Sequence, residues 1–354
     1  FTRAQNIPKH DDVRSCVRAC DYDQDGDLDL FLGSRVKPGE YPLSTPSRLI
    51  KNDKGTFTEV PLPGQLGMVT DAIWKDVNGD KSPDLIVISE WGSPRLFLND
   101  KGSLSEKMDS GLEGLTGWWT RISSSDIDGD GDLDFAIGNF GLNTKYHASP
   151  KKPALVYYGA FDDSGKKQII EAEFENDTLF PIRGKSCSTA AMPALAKKFN
   201  TYHSFALAEL NQIYDLKDKQ RFDAKVLESG FLINDGTGTF TFRAMPRITQ
   251  ISPIQGMVFS DLTGNAAPDL LIAQNFYNPQ FETGPYSGGI GLLLKNDGKG
   301  EFTPLQPHES GILLPGDPRS LHLFDLTGDG HADLLCPLNN GPLIWQRRIP
   351  RPSK

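Results

Sequence analysis

The chain has 354 residues, 38% of them hydrophobic, with 35 glycines, 25 prolines and a formal charge of −9. The acidic balance argues against a nucleic-acid backbone as partner, and no apolar run reaches the roughly 18 residues that span a membrane. Abundant glycine and proline with few helical stretches favour many short strands joined by tight turns.

In chain order, Phe1-Thr2-Arg3-Ala4 reads as the last strand of a hairpin without its partner. The opening without Met reads as if a longer precursor had been trimmed. SCVRAC follows as a strand, and then DYDQDGDLD, Asp21 to Asp29, with five aspartates in nine residues ahead of the apolar Leu30-Phe31-Leu32. Like charges this close repel, so ordering them beside a hydrophobic run calls for positive charge among them.

The same pattern returns as DVNGDKSPD from Asp76, DIDGDGDLD from Asp126, DLTGNAAPD from Asp261 and DLTGDGHAD from Asp325, each leading into an apolar run. An eroded sixth copy reads AFDDSGKKQII from Ala160. A second motif alternates with the first: LIKNDKGTF (49–57), LFLNDKGSL (96–104), FLINDGTGTF (231–240) and LLKNDGKGEF (293–302). Asn-Asp with a nearby Gly between apolar runs is a hairpin signal, because these residues tolerate positive φ. Each unit therefore reads as two hairpins, and four-stranded sheets repeated about an axis make a β-propeller. The expected fold is an all-β propeller of six blades with the eroded copy included, or seven if residues 175–230 conceal another.

The whole chain, residues 1–354, reads as one propeller domain. Residues 186–217 break the pattern with helical spacing over Pro193–Phe199 and Phe205–Tyr214, where Ser204 suits an N-cap; this is read as a helical insertion. Leu343-Ile344-Trp345-Gln346 looks like a third strand lacking its fourth, which the N-terminal strand, residues 1–7, could supply to close the last blade. The chain could equally be a fragment cut at a blade boundary.

In each loop, oxygen-bearing side chains fall at positions 1, 3, 5 and 9. Ca²⁺ takes six to eight oxygen ligands in flexible geometry, whereas Zn²⁺ would call for His or Cys. An EF-hand would need Glu at position 12, where Leu32, Val87 and Ile137 stand instead. The candidate ligands are Asp21, Asp23, Asp25 and Asp29; Asp76, Asn78, Asp80 and Asp84; Asp126, Asp128, Asp130 and Asp134; and Asp325, Thr327, Asp329 and Asp333. Asp261, Thr263, Asn265 and Asp269 form a weaker set, and the eroded copy, with Asp162, Ser164 and Gln168 behind Ala160, is expected to hold none. Three to four Ca²⁺ ions are expected; the alternative is plain Asp-rich turns.

These loops and the apolar strands behind them resemble the FG-GAP/VCBS repeats of integrin-α-like propellers over roughly residues 1–345. GMVTDAIWKDVNGD (67–80), LTGWWTRISSSDIDGDGDLDFAIGNFGLNTKY (115–146) and SGGIGLLLKNDGKGEF (287–302) are similar to bacterial secreted VCBS proteins related to cartilage acidic protein and the ASPIC/UnbV group. The resemblance implies a calcium-stabilised propeller that is secreted, periplasmic or at the cell surface. It brings the ligand positions named above and no catalytic residue.

None of the six histidines, His10, His147, His203, His308, His322 and His331, stands at metal-ligand spacing, and no nucleophile motif appears. His322 is expected in the core. Trp118-Trp119 could form a platform for sugar, or one ring could pack between blades while the other faces solvent, the favoured reading. Cys16 and Cys20 lie too far apart on one strand to bridge; a bridge from either to Cys336, or buried thiols, are both compatible with the sequence.

Three functions follow. The first is a non-catalytic, calcium-stabilised binding or adhesion propeller for a protein or glycan partner, with no nucleic-acid partner and no membrane span. The second is a carbohydrate-active enzyme such as a polysaccharide lyase, favoured by Arg, Tyr and His clustered on one face. The third is a structural segment of a larger surface protein.

Overall fold

The computed structural model describes residues 8, 12–279 and 283–347; the strand expected at residues 1–7 and His10 lie outside them. The first sheet takes β1 (Arg14–Cys20), β2 (Asp29–Ser34), β3 (Arg48–Asp53) and β4 (Thr56–Val60) as an antiparallel meander. The second takes β5 (Met68–Lys75), β6 (Asp84–Gly92), β7 (Arg95–Asp100) and β8 (Ser103–Glu106), with β9 (Gly117–Trp118) paired to the far end of β6. The third begins with β10 (Arg121–Ser125) and β11 (Asp134–Gly138).

There the chain leaves the ring. β12 (Ala154–Ala160), β13 (Lys167–Glu175), β14 (Thr178–Pro181) and β15 (Gln220–Ala224) form a separate sheet, with α1 (Lys185–Ala191), α2 (Ala194–Lys198), α3 (Tyr202–Ala206) and α4 (Leu210–Ile213) between its last two strands. The third sheet then resumes with β16 (Gly230–Asn234) and β17 (Phe240–Ala244), Ala136 of β11 pairing with Phe231 of β16. The fourth sheet is β18 (Ile254–Ser260), β19 (Asp269–Gln274), β20 (Leu292–Asn296) and β21 (Phe302–Leu305). After α5 (Pro307–Ser310), β22 (His322–Phe324), β23 (Asp333–Pro337) and β24 (Leu343–Gln346) make a three-stranded fifth sheet.

The protein is thus an all-β propeller of blades. Six sheets match the six repeats, but their arrangement differs from the expectation that each repeat takes its own turn. The sheet of the eroded copy is built into the middle of the third blade. Its loop looks like the others locally, while the strand order that displaces it is set by pairing across the whole insertion.

Consecutive blades share their cores. Phe31 of the first packs with Val69, Leu85 and Phe97 of the second. Ile86 and Ile88 of the second meet Trp119, Phe135 and Ile137. Ala136 and Phe231 of the third meet Ile254 and Ile272, and Leu271 and Ala273 of the fourth meet Leu334. Inner strands lie side by side, β1 on β5, β5 on β10 and β10 on β18. The second strand of each blade, covered on both faces, reads as a continuous apolar run, and Leu85 to Ile88 are all buried.

The inserted sheet shows period-two patterning instead. Ala154 and Val156 pack down onto Met68, Trp91 and Trp118 at one end of the ring, while Leu155 and Tyr157 turn to Leu195, Phe199, Phe205 and Ile213 of the helices. Ser204 lies inside α3, and the cap is Thr201, whose side chain accepts from the Ser204 amide. His322 is exposed rather than in the core, because β22 is the edge of the fifth sheet. Both tryptophans of the pair are buried, Trp119 fully and Trp118 at 7% exposure, because the inserted sheet covers Trp118. Cys16 and Cys336 are buried thiols in separate clusters, so no bridge joins them.

Candidate binding site

Two ends of the first strands carry the chemistry. At the C-terminal ends lie the aspartate loops. The first-position carboxylate accepts backbone N–H groups of its own loop, as Asp126 does from Gly129 at 2.8 Å and Gly131 at 3.2 Å. The ninth is buried and clamps the loop to the third strand: Asp134 accepts from Ile127 N at 3.0 Å and Asn234 N at 2.8 Å. Asp84 does the same with Val77 and Asn99, Asp29 with Tyr22 and Asn52, and Asp269 with Leu262 and Asn296. Asp333 accepts from Leu326 N, but its Oδ1 is buried without a partner, since the fifth blade has no Asn-Asp hairpin beside it. Burial pushes the Asp84 and Asp134 carboxyls up to about 6.

Two loops bring three carboxylates within 4.8 Å of one another, Asp21, Asp23 and Asp29 in the first blade and Asp126, Asp128 and Asp130 in the third. Oδ1 of Asp23 and of Asp128 is buried and unpartnered. This donor set fits a hard oxygen-liganded cation, for an inward-facing carboxylate oxygen without a hydrogen bond is costly. In the first loop Lys51 pairs with Asp23 and, at 3.4 Å, with Asp25. In the fifth, Arg347 pairs with Asp329 at 3.0 Å. In the second, Asn78 donates to Asp80 at 2.9 Å, and in the fourth Thr263 donates to Asn265 at 3.2 Å. In the fifth loop the Thr327 side chain also hydrogen-bonds to the Asp329 carboxylate. Asp162 in the inserted sheet accepts from Ser164 in an exposed turn.

At the opposite ends of the same strands is a cavity of about 820 Å³, within the roughly 300–1,000 Å³ of small-molecule sites. Each blade contributes one residue to its floor: Ser15, Thr70, Thr120, Gln255 and Arg319, every one six residues ahead of the first position of its loop. Arg35, Glu90 and Phe140 stand six residues after the ninth position of theirs. Arg121 staples the floor, donating to Gln255 O at 2.8 Å, Thr120 O at 2.9 Å and Arg319 O at 2.9 Å. Burial lowers its pKa against the opposing pull of Asp71.

One wall is aromatic. The Trp118 ring meets Trp91, Phe140 and Tyr146 edge-on with centroids 5.0, 5.1 and 4.8 Å away, and Phe140 meets Tyr286 at 4.8 Å. Trp91 has φ +60°, a strained value for a bulky residue of the kind that clusters at binding sites. A second wall is polar. Arg35 pairs with Glu90, Tyr41 donates to Glu90 at 2.5 Å, and the Trp91 indole donates to Tyr41 at 2.6 Å. The inserted sheet supplies Ile169, Glu171 and Arg183, with the Tyr146 hydroxyl donating to Glu171 at 3.1 Å. Burial, then the neighbouring Glu90 or Glu171, holds Tyr41 and Tyr146 well above the ordinary phenol range.

The sequence reading points to no such pocket: it offers Trp118-Trp119 as a sugar platform or, the favoured reading, as one ring packed between blades with the other facing solvent, whereas both rings are buried beside this cavity. Its signal was the fixed offset of the floor residues from the loops.

Residues 76–137 match the family described as FG-GAP-like repeat. The chain is 24% identical over 317 residues to the T-cell immunomodulatory protein of Rattus norvegicus, covering 77% of this chain and 50% of that protein, and the same figures hold for the Mus musculus protein. The chain spans about half the length of the curated relatives it matches. Among solved structures, the V. cholerae biofilm matrix protein Bap1 aligns with a TM-score of 0.29 and 12% identity over 91% of this chain and 74% of that one. Rhamnogalacturonan lyase YesW aligns with a TM-score of 0.34 and 13% identity over 94% and 60%. The propeller thus contains, at residues 76–137, a stretch similar to the FG-GAP-like repeat. None of its described helices is long and apolar enough to cross a membrane.

Proposed function

We propose that the chain is a non-catalytic binding propeller of the cell exterior and that its ligand is a glycan held in the pocket at the ring's mouth. The FG-GAP-like repeats support the exterior setting. The carrying observation is the concave aromatic and polar cavity of about 820 Å³ into which all five blades and the inserted sheet converge. Sugar rings present apolar C–H faces to aromatic walls and hydroxyls to polar ones. A folded protein partner docks instead over roughly 800 Å² of flatter surface per side. Calcium at the first and third loops, held by Asp21, Asp23 and Asp29 and by Asp126, Asp128 and Asp130, would brace the far end of the strands that carry the floor. Its role there is to neutralise and order the loops.

The clustering of Arg35, Arg121, Arg183 and Arg319 with Tyr41, Tyr146 and Tyr286 gives a polysaccharide lyase as the second reading. A lyase needs a base ready to take a proton. The three phenols are all held above their ordinary pKa by burial, the direction opposite to a ready tyrosinate, and this favours binding.

A glycan array probed with the intact chain tests the reading. Retention of sugars that Tyr286→Ala weakens, with no unsaturated product on prolonged incubation, is the expected result. Formation of unsaturated product would replace binding by lyase chemistry, and no retained glycan would overturn the reading.

A further inference from the structure

Within that glycan reading, we infer that the ligand carries negative charge: the pocket is built for an anionic sugar, with uronate carboxylates or sulfate esters, and Arg35 and Arg183 are its charge-reading residues. The protein as a whole bears −9. The pocket reverses that sign, with four arginines, Arg35, Arg121, Arg183 and Arg319, against two glutamates, Glu90 and Glu171. In a concave, low-dielectric site such an excess focuses the field on an incoming anion.

The unmet hydrogen-bonding capacity has the same sign. Arg35 spends one amino group on Glu90, while its Nη1 is buried with no partner. The Trp118 indole N–H, on the aromatic wall, is likewise buried and unpartnered. Arg183 reaches the pocket from the inserted sheet and meets no carboxylate among the described residues. Of the four oxygens of the pocket's two glutamates, three are already taken: both of Glu90 by Arg35 and Tyr41, and Glu171 Oε1 by Tyr146. Donors with nothing to donate to are costly when buried, and a ligand that supplies acceptors alone relieves them. A neutral sugar brings as many hydroxyl donors as acceptors; a carboxylate or sulfate brings acceptors only, and guanidinium groups bind these groups in paired geometry.

Arg121 is a positioning residue, its three donors committed to backbone carbonyls of three blades. Arg319 is held by Asp317 at 3.2 Å and lies over the Phe276 ring. That leaves Arg35 and Arg183 to contact the anion.

Calorimetric titration of the intact chain at low salt decides the matter, with a short oligomannuronate, its carboxyl-reduced neutral form and a sulfated oligosaccharide of similar length as probes. The expected result is binding of one or both acidic sugars at least tenfold tighter than the neutral one, weakened by added salt. Arg183→Ala should lose about tenfold on the acidic sugar and little on the neutral one, the ordinary worth of a charge-assisted hydrogen bond, and Arg183→Lys should recover part of it. The acidic arm that binds identifies the anion. Equal affinity for acidic and neutral sugars overturns this inference and leaves the glycan reading standing; binding to none of the probes and to no sugar on the array overturns both. A melting temperature for Arg183→Ala equal to that of the parent separates lost binding from lost fold.

Discussion

The side-chain amide of Asn234 in the third blade donates to the carbonyl of Val77 in the aspartate loop of the second, 2.9 Å away. Asn99 reaches back to Tyr22 of the first blade at 2.7 Å, and Asn296 to Ile127 of the third at 2.8 Å. The backbone N–H of each asparagine is meanwhile held by the ninth-position aspartate of its own blade. The two sequence motifs are therefore one joint: the aspartate fixes the hairpin within a blade, and the asparagine fixes it to the blade before.

Replacing Asn234 by Ala breaks that joint. It removes bonds to Val77 O and Leu133 O and the acceptor of Gly238 N, all with little access to water. At about 1 kcal/mol for each bond, more where a buried partner is left unpaired, we expect a loss of about 3 kcal/mol in urea unfolding. Asn52, whose amide donates to Leu28 O and accepts from Gly55 N, both within its own blade and both exposed to water, is the control, and Asn52→Ala should cost about 1 kcal/mol. Equal losses would contradict the joint.

The calcium proposal is tested by chelation. A cation that binds only the folded chain raises the melting temperature in proportion to RT ln(1 + [L]/Kd), so excess chelator should lower it and elemental analysis should find bound Ca²⁺. Asp128→Asn should remove one ion per chain, because Asp128 faces the loop interior with an unpartnered oxygen. Lys51→Met should tighten the first loop for Ca²⁺, since the ammonium on Asp23 competes with the ion. No bound metal, and a Lys51→Met variant indifferent to Ca²⁺, would make the loops turns held by their own backbone bonds.

The repeat was legible because its determinants are local. Asp134 and Asn234 each sit in a short motif whose residue types dictate the turn, wherever the partner strand comes from. The placement of the eroded copy was not, because the pairing of Phe135 with Leu232 leaves no mark in the intervening sequence. The burial of Trp118 followed from the same insertion, which folds Val156 and Ala224 over it. The pocket was illegible for another reason. Thr70, Thr120 and Gln255 are unremarkable in their strands, and only the ring brings them to one floor.

Gly111 tests close packing outside the loops. It has φ +78°, and a Cβ there would stand 2.2 Å from the carbonyl oxygen of Phe240. The approach is backbone on backbone, since Phe240 N donates to Ser110 O at 2.7 Å. Gly111→Ala therefore combines a left-handed penalty of about 1–2 kcal/mol with a clash no side-chain rotation relieves. A loss of about 3 kcal/mol or more in urea unfolding is expected. Gly114→Ala, at φ +80° with open space around it, should show the conformational penalty alone.

The buried thiols give a pH dependence whose sign is fixed. Burial pushes Cys16 and Cys336 up to about 11 from an ordinary value of 9.0, with Asp71 adding to the effect at Cys16. The folded chain thus keeps protons that the unfolded chain releases between about pH 9 and 11. Where the unfolded state binds fewer protons, stability falls as pH rises. The contribution of these thiols is fully present below pH 9 and declines through that window. Urea midpoints should drop across it, and Cys16→Ser with Cys336→Ala should flatten the decline. Alkylation at pH 8 should spare both cysteines in the folded chain and modify them after urea is added, because only the thiolate reacts. Rapid labelling of either in the native state would refute their burial.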